Sequence, residues 1–527
     1  MTKLRHALLL TALTLPLAAP VLADTPPGVL VVAQNIDDIV AIDPAQAYEF
    51  TSGEIVTNVY DRLVGYDAED TSTLAPGLAA EWEVDADAKL IRFILREGVT
   101  FHSGNPVRPE DVTGSLARVV KLNLTPAFIL TQLGWTPENV EEMVTSEGNV
   151  VTVRYEGDFS PAFVLNVLAS RPASIVDMET VMAQEVDGDM GNAWLNANSA
   201  GSGAFEMTAF RPAEIVRLEA NEDYFKGAPL LDGVILQHVA ESATQQLLLE
   251  QGDVDMAKNL TPDQIAGVGE AIKVETYPQA AVHFLSFNQK VDALTDPAVW
   301  EAARYLVDYE GMAGTILQGQ MEVHQSFWPE GFPGSLEETP FSYDPERARA
   351  ILEEAGVELP IQVTLDVINS APFTDMAQSL QASFADAGIE FEILPGTGSQ
   401  VITKYRDRSH EAMLLYWGPD FMDPHSNAKA FAYNSDNSDG NYTATTTWRN
   451  AWAVPDELNQ LTTAALTETD EDARLDMYRE LQEAVQAESP IVIMFQASYQ
   501  VAMDEGVTGY VNGATSDFVY YRLTDKE

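Results

Sequence analysis

Apolar and polar positions along this chain recur at two spacings, near two and near 3.6 residues, and their order predicts an α/β protein. Residues 29–33 form a short apolar strand, and residues 50–53 read as a loop ahead of a helix over 54–63. Residues 78–85 and 90–96 read as strands, residues 101–106 as a turn, and the next helix has Pro109 in its first turn. Further on, Asp344 is a natural N-cap and Pro345 suits the first helical position. Ala348, Ile351, Leu352 and Ala355 share one face, and Gly356 stops that helix. Ile361, Val363, Leu365 and Val367 alternate as a strand. Residues 373–387 are helical up to Gly388, and Ile389, Phe391 and Ile393 alternate again. Strand, helix and strand in that order predict a parallel βαβ unit. The last long helix is expected to open at Thr469 with Asp472 as its capping-box partner, and to bury Ala473, Met477, Leu481 and Ala484. Pro490 ends it, and residues 491–495 read as a buried strand.

One stretch stands out against this pattern. The apolar run 411–416 should be a strand extending the parallel sheet, and Gly418-Pro419 must break it, because proline has no N–H to give a ladder. Tyr416 then ends the strand, and Trp417 and Asp420 should sit on a loop just past its carboxyl end, where open α/β sheets bind ligands. A large aromatic and a carboxylate three residues apart suit a ligand with an apolar body and a cationic head. The plainer reading is a surface turn with a buried tryptophan. Arg406 and Arg408, ahead of the strand, are candidates to meet a ligand carboxylate, or surface arginines in an acidic chain. Asp423, before Pro424, reads as a turn-former rather than a contact, so its amide variant should bind ligand almost normally.

Composition narrows the setting. Lys3 and Arg5 precede the apolar run 7–19, and Val21-Leu22-Ala23 has the small-residue pattern of a cleavage site, so residues 1–23 are expected to be a secretory signal peptide. The run is too short to span a bilayer. The chain has no Cys, so neither disulfides nor a lipid anchor on cysteine are expected, and the mature protein should be free in the periplasm. At 527 residues it should hold more than one domain. The formal net charge of −52 repels nucleic acid and anionic lipid, and its acids are scattered, as on a solvated surface. Dispersed His and the lack of a nucleophile motif give enzyme chemistry little support. Asp187-Gly188-Asp189 reads as an acidic turn without the closing Glu of a cation loop. No metal and no cofactor is expected.

The motifs resemble a known family. Ala80-Glu81-Trp82-Glu83, Leu95-Arg96-Glu97-Gly98-Val99, Phe101-His102-Ser103-Gly104 and Pro109-Glu110-Asp111-Val112 are similar to the signature of the family 5 extracellular solute-binding proteins, the periplasmic receptors of peptide and nickel ABC importers. Gly201-Ser202-Gly203, the segment 221–227, Gly252-Asp253-Val254-Asp255, Ser286-Phe287-Asn288, Tyr343-Asp344-Pro345 and the stretch 417–424 fall in the family's order. Trp300 stands where the family has Arg, and Ala204 and Phe205 where it has Pro and Tyr; the segment 125–143, with Trp135, matches no motif.

The resemblance implies two α/β lobes of mixed sheets flanked by helices, hinged around a ligand. Lobe I is expected over 24–56, 195–281 and 495–527, an inserted extra domain over 57–194, and lobe II over 282–494. It implies that Asp420 pairs with a peptide's α-ammonium, that Trp417 lies against a ligand side chain and that Gly418 allows backbone approach. It also implies that Thr51 and Ser52 face the cleft. The implied partners are a short peptide and an inner-membrane ABC permease, with the receptor a monomer. Alternative ligands are nickel or another metal chelate, an opine or an oligosaccharide; a periplasmic peptide hydrolase or a chaperone is the alternative of another class.

Overall fold

The computed structural model describes residues 25–66, 68–70, 73–441, 443, 445–513, 515 and 519–526. The segment read as a signal peptide lies outside them. The molecule is two-lobed, and one long mixed sheet runs through both lobes. Its lobe I half holds Val29–Gln34, parallel to Gly233–His238 and Met256–Ala257, with Ile215–Ala220 and Phe205–Arg211 added antiparallel. Its lobe II half is built on Ile361–Ile368, which lies parallel to Ile389–Gly396 on one side and Ala412–Trp417 on the other. The βαβ unit expected from the alternation is therefore present, with Phe373–Ala385 as its helix.

Two long strands join the halves. Ile272–Phe287 and Ile491–Asp504 pair antiparallel from Ile272↔Asp504 to Ser286↔Ile491, with a register break between Pro278 and Val282. The chain leaves lobe I along the first and returns along the second. Up to Gln279 the first strand is partly exposed, and from Ala280 to Phe287 it is buried, so the break marks the passage between lobes. Each half of the sheet has an apolar core on both faces. A separate antiparallel sheet, Ala79–Asp85, Leu90–Leu95, Val150–Arg154 and Val144–Glu147, has its own core, which includes Phe93, Trp135 and Phe163. That core also takes in Phe421 of lobe II.

Three local expectations are corrected. The first helix is Phe50–Val59, not 54–63. Thr, Ser and Gly are weak helix formers, but the Asp38 carboxylate accepts the Thr51 N–H at 3.2 Å and starts the helix early. The last long helix is capped one residue later than expected, by Asp470, whose carboxylate takes the Ala473 N–H at 3.1 Å. Its buried face is Arg474, Tyr478, Leu481, Gln482 and Val485. An apolar stripe misplaces this face because two polar residues in it are satisfied internally: Arg474 by Asp423, and Gln482 by Ser326 and Gly334. Asp423, read as a turn-former, does cap the helix Pro424–Ala432 through His425 N–H. It also forms a buried ion pair with Arg474 at 2.5 Å.

Candidate functional site

The strand Ala412–Trp417 is hydrophobic because it lies inside lobe II, between Ile361–Ile368 and the first joining strand. Met413, Leu414 and Leu415 are buried, while Tyr416 and Trp417 are half-buried at its end. Alternation along the strand sends the two aromatics to opposite faces. Tyr416 stands opposite His283 and meets its ring at 5.7 Å and that of Phe373 at 5.9 Å. Trp417 packs edge-on against Phe431 at 6.2 Å, with the Arg449 guanidinium 5.7 Å from its ring. The Trp417 indole N–H is buried and finds no hydrogen-bond acceptor among the described residues. An added Cβ on Gly418 would meet only the Ala280 carbonyl at 3.8 Å, so packing within the protein does not demand glycine there.

Past Pro419 the loop is tied down. Asp420 N–H donates to Ser426 Oγ at 2.8 Å, and Phe421 meets Phe163 edge-on at 5.6 Å. The Asp420 side chain is thereby aimed across the cleft, where Tyr48 of lobe I donates its phenol to Oδ1 at 2.7 Å. Burial raises the Asp420 carboxyl pKa; the Tyr48 hydrogen bond and the charges of Arg171, Lys429 and Arg449 pull it part of the way back. Burial, and then Asp420 itself, push the Tyr48 phenol well up, so it stays a donor. Arg171 holds the Tyr48 loop by donating to Glu49 O at 2.9 Å and Tyr48 O at 3.4 Å. Two positions further on, Phe50 stacks on Tyr416 at 6.3 Å and 28°. His283 is kept neutral, its pKa lowered to about 3 by burial. The cleft thus presents a carboxylate, cationic groups and aromatic faces, and holds no nucleophile–base pair on these residues.

The structure sorts the expected residues. Tyr416, Trp417, Gly418 and Asp420 come together at the lobe boundary. Thr51 is nearly buried in the first helical turn, next to Phe50. Ser52 is 0% exposed, on the helix Phe50–Val59 rather than on a loop, and its buried Oγ has no hydrogen-bond partner among the described residues. Arg406 and Arg408 are corrected outright: both precede the strand that ends in Trp417, and so lie at the opposite end of the sheet. Arg406 is exposed at the end of the helix Gly398–Arg406. The Arg408 guanidinium bonds Asp439 at 2.8 Å and Asn437 Oδ1 at 2.7 Å, and lies 4.4 Å over Trp448. The cationic groups near Asp420 are instead Arg171, Lys429 and Arg449. None sits in a motif, and Tyr48 was missed too; the single local signal was the aromatic pair Tyr48 and Phe50 flanking Glu49.

Residues 73–439 match the family described as bacterial extracellular solute-binding proteins, family 5 Middle. The chain is 27% identical to the probable D,D-dipeptide-binding periplasmic protein of Escherichia coli (strain K12) over 511 residues, 95% of each protein. Its fold is that of the Helicobacter pylori ABC transporter-associated periplasmic binding protein solved with the peptide STSA, at a TM-score of 0.79 and 22% identity over 95% of this chain and 98% of that one. It is equally similar in fold to the Campylobacter jejuni protein NikZ in complex with Ni(L-His), at a TM-score of 0.79 and 18% identity over 95% of this chain and all (100%) of that one. Among the described residues, no helix is long and apolar enough to cross a membrane, and no group of three or more His, Cys, Asp or Glu is placed to hold a metal ion.

Proposed function

The chain belongs to the bacterial extracellular solute-binding proteins of family 5, and on that premise we propose that it is a periplasmic receptor that captures a short peptide between its lobes and delivers it to the permease of an ABC importer. The observation that carries the reading is the Asp420 carboxylate, presented across the cleft at the end of the strand Ala412–Trp417 and steadied by Tyr48. A carboxylate in a closed, partly dry cleft favours a cationic partner, and a peptide's α-ammonium supplies one. The cationic groups around Asp420 then answer the peptide's carboxylate, and the edge of the strand at Gly418 offers backbone groups to an extended ligand. The binding names carried by relatives, D,D-dipeptide among them, support a peptide over other solutes.

The mechanism is closure. A ligand that touches both lobes gains contacts in the closed state that it lacks in the open one, so it shifts the population toward closure, and the permease reads that state. The lobes divide at the two joining strands, in keeping with a lobe I of 24–56, 195–281 and 495–527, an inserted domain of 57–194 and a lobe II of 282–494. The receptor acts as a monomer in the periplasm. Native mass spectrometry of freshly purified protein tests the ligand class: the expected adduct is a short peptide. A nickel chelate, an opine or a sugar in its place would overturn the peptide reading.

A further inference from the structure

A second carboxylate faces the cleft from lobe I. Asp38 spends one oxygen, Oδ2, on the Thr51 N–H at 3.2 Å, which fixes the side chain against the first helix. The other oxygen, Oδ1, is buried and has no hydrogen-bond donor among the described residues. Lys258 lies against the Tyr499 ring at 5.9 Å, but its charge is spent on Glu54 at 2.9 Å. Aromatic rings stand near Asp38. Phe50, 51% exposed, stacks on Tyr416, and Tyr416 is close enough to Asp38 that, after burial, this carboxylate is what raises its phenol pKa. A carboxylate oxygen removed from water without a donor is costly unless a cation answers it. Aromatic faces beside it strengthen the preference for a cation over a neutral donor.

Resting on the reading of the cleft as a peptide site, we propose that Asp38, with the rings of Phe50 and Tyr416, forms a second cation-binding position that receives a basic side chain, lysine- or arginine-like, of the ligand whose α-ammonium meets Asp420. Asp420 selects for a free amino terminus, which every unmodified peptide has; Asp38 selects among peptides. The preferred substrates are therefore basic short peptides.

The test is calorimetric titration with alanyl-lysine and alanyl-norleucine, which differ in one ammonium group. Wild type should bind the lysine peptide roughly tenfold more tightly, as expected for a charge-assisted aromatic site. Asp38→Asn keeps an oxygen for the Thr51 N–H, so it should melt with wild type, bind alanyl-norleucine unchanged and lose the preference. Phe50→Ala, at an exposed ring, should reduce the preference without affecting the fold. A wild type indifferent to the two peptides, or an Asp38→Asn protein that keeps the preference, overturns the proposal. If neither dipeptide binds wild type, the peptide reading fails, and Asp38 is judged separately. In an Asp420→Asn background, n-butylammonium should bind more tightly than n-butanol by intrinsic fluorescence, and adding Asp38→Asn should abolish that difference. Equal binding of the two probes in the Asp420→Asn protein overturns the cation site whatever the natural ligand is.

Discussion

The phenol of Tyr48 reaches Asp420 at 2.7 Å and joins side chains 372 positions apart on opposite lobes. This bond fixes which way the carboxylate points and leaves its second oxygen for a ligand. Asp420→Asn keeps the shape and removes the charge, so folding should change little while binding of a free-amine dipeptide collapses. Removing one member of a desolvated charge pair costs about 2–5 kcal/mol, a loss of roughly 30- to several thousand-fold in affinity. Tyr48→Phe deletes one hydrogen bond and should cost about 1 kcal/mol. Calorimetry with the dipeptide and its N-acetyl form checks both: wild type should reject the acetylated peptide, and Asp420→Asn should hardly discriminate. An Asp420→Asn protein with wild-type affinity for the free amine would place the anchor elsewhere.

The same carboxylate gives binding a pH dependence. Burial raises its pKa, and the Tyr48 bond and nearby cations only partly offset that. The anchor is charged above the raised pKa and neutral below it. Affinity for a cationic ligand should therefore be complete near neutral pH and fall on acidification as pH drops through the raised pKa of Asp420. The peptide's ammonium stays protonated throughout that interval. Titrations across the acid range should show this step in wild type and not in Asp420→Asn.

Asp423 has a larger role than its place before a proline suggests. Its side chain and that of Arg474 are each 1% exposed, and burial alone would disfavour the Arg474 charge, yet Asp423 holds the guanidinium above its ordinary pKa. Removing one member of a buried pair strands the other, at about 3–5 kcal/mol. Asp423→Asn and Arg474→Met should both show this loss in urea unfolding. Asp423→Asn should also bind ligand less well, since Asp423 caps the helix that follows the Asp420 loop. A residue that only formed a turn would leave binding near normal; Asp423, which caps the helix and holds Arg474, would not.

What the sequence disclosed, and what it did not, follows from the range of each interaction. The strand Ala412–Trp417 was legible to within one residue, as 411–416, and so was its break at Pro419, because an apolar run and a missing N–H act locally. The Asp344 cap and the Gly356 stop were legible for the same reason. The early start of the first helix was not, since its N–H acceptor, Asp38, lies outside the element. Arg406 and Arg408 were attractive for their nearness in sequence to Trp417, but a strand carries its two ends apart. Arg171 and Arg449 reach the Asp420 loop from distant elements and leave no local pattern.

The acidic surface makes stability depend on salt. The chain carries 81 Asp and Glu against 29 Lys and Arg. Excess like charge strains the compact state by self-repulsion, which ions screen over about 10 Å at 0.1 M. The melting temperature should rise with sodium chloride from low ionic strength and level off as the Debye length shrinks. A melting temperature that falls steadily with salt would mean that surface ion pairs outweigh the repulsion.

Closure is the remaining prediction, and it rests on the two strands that join the lobes. Their register shifts twice, between His283 and Phe284 inside the buried part and, over a longer unpaired stretch, between Pro278 and Val282 at the passage between lobes. A break in a two-stranded connection can absorb rotation without unpicking either lobe's core, because each half of the sheet is packed by its own apolar clusters. Saturating ligand should therefore reduce the radius of gyration in solution scattering while far-ultraviolet circular dichroism stays unchanged. It should also raise the melting temperature, since a ligand at 100 times its Kd adds about 2.7 kcal/mol to the folded state. The two readouts separate the possibilities. A higher melting temperature with an unchanged radius would mean that ligand binds lobes already closed, as the Tyr48–Asp420 and Phe50–Tyr416 contacts would permit. Tyr48→Phe combined with Phe50→Ala should then expand the ligand-free protein and restore a ligand-induced contraction. If neither the wild type nor that double variant contracts with ligand, these strands do not serve as a hinge.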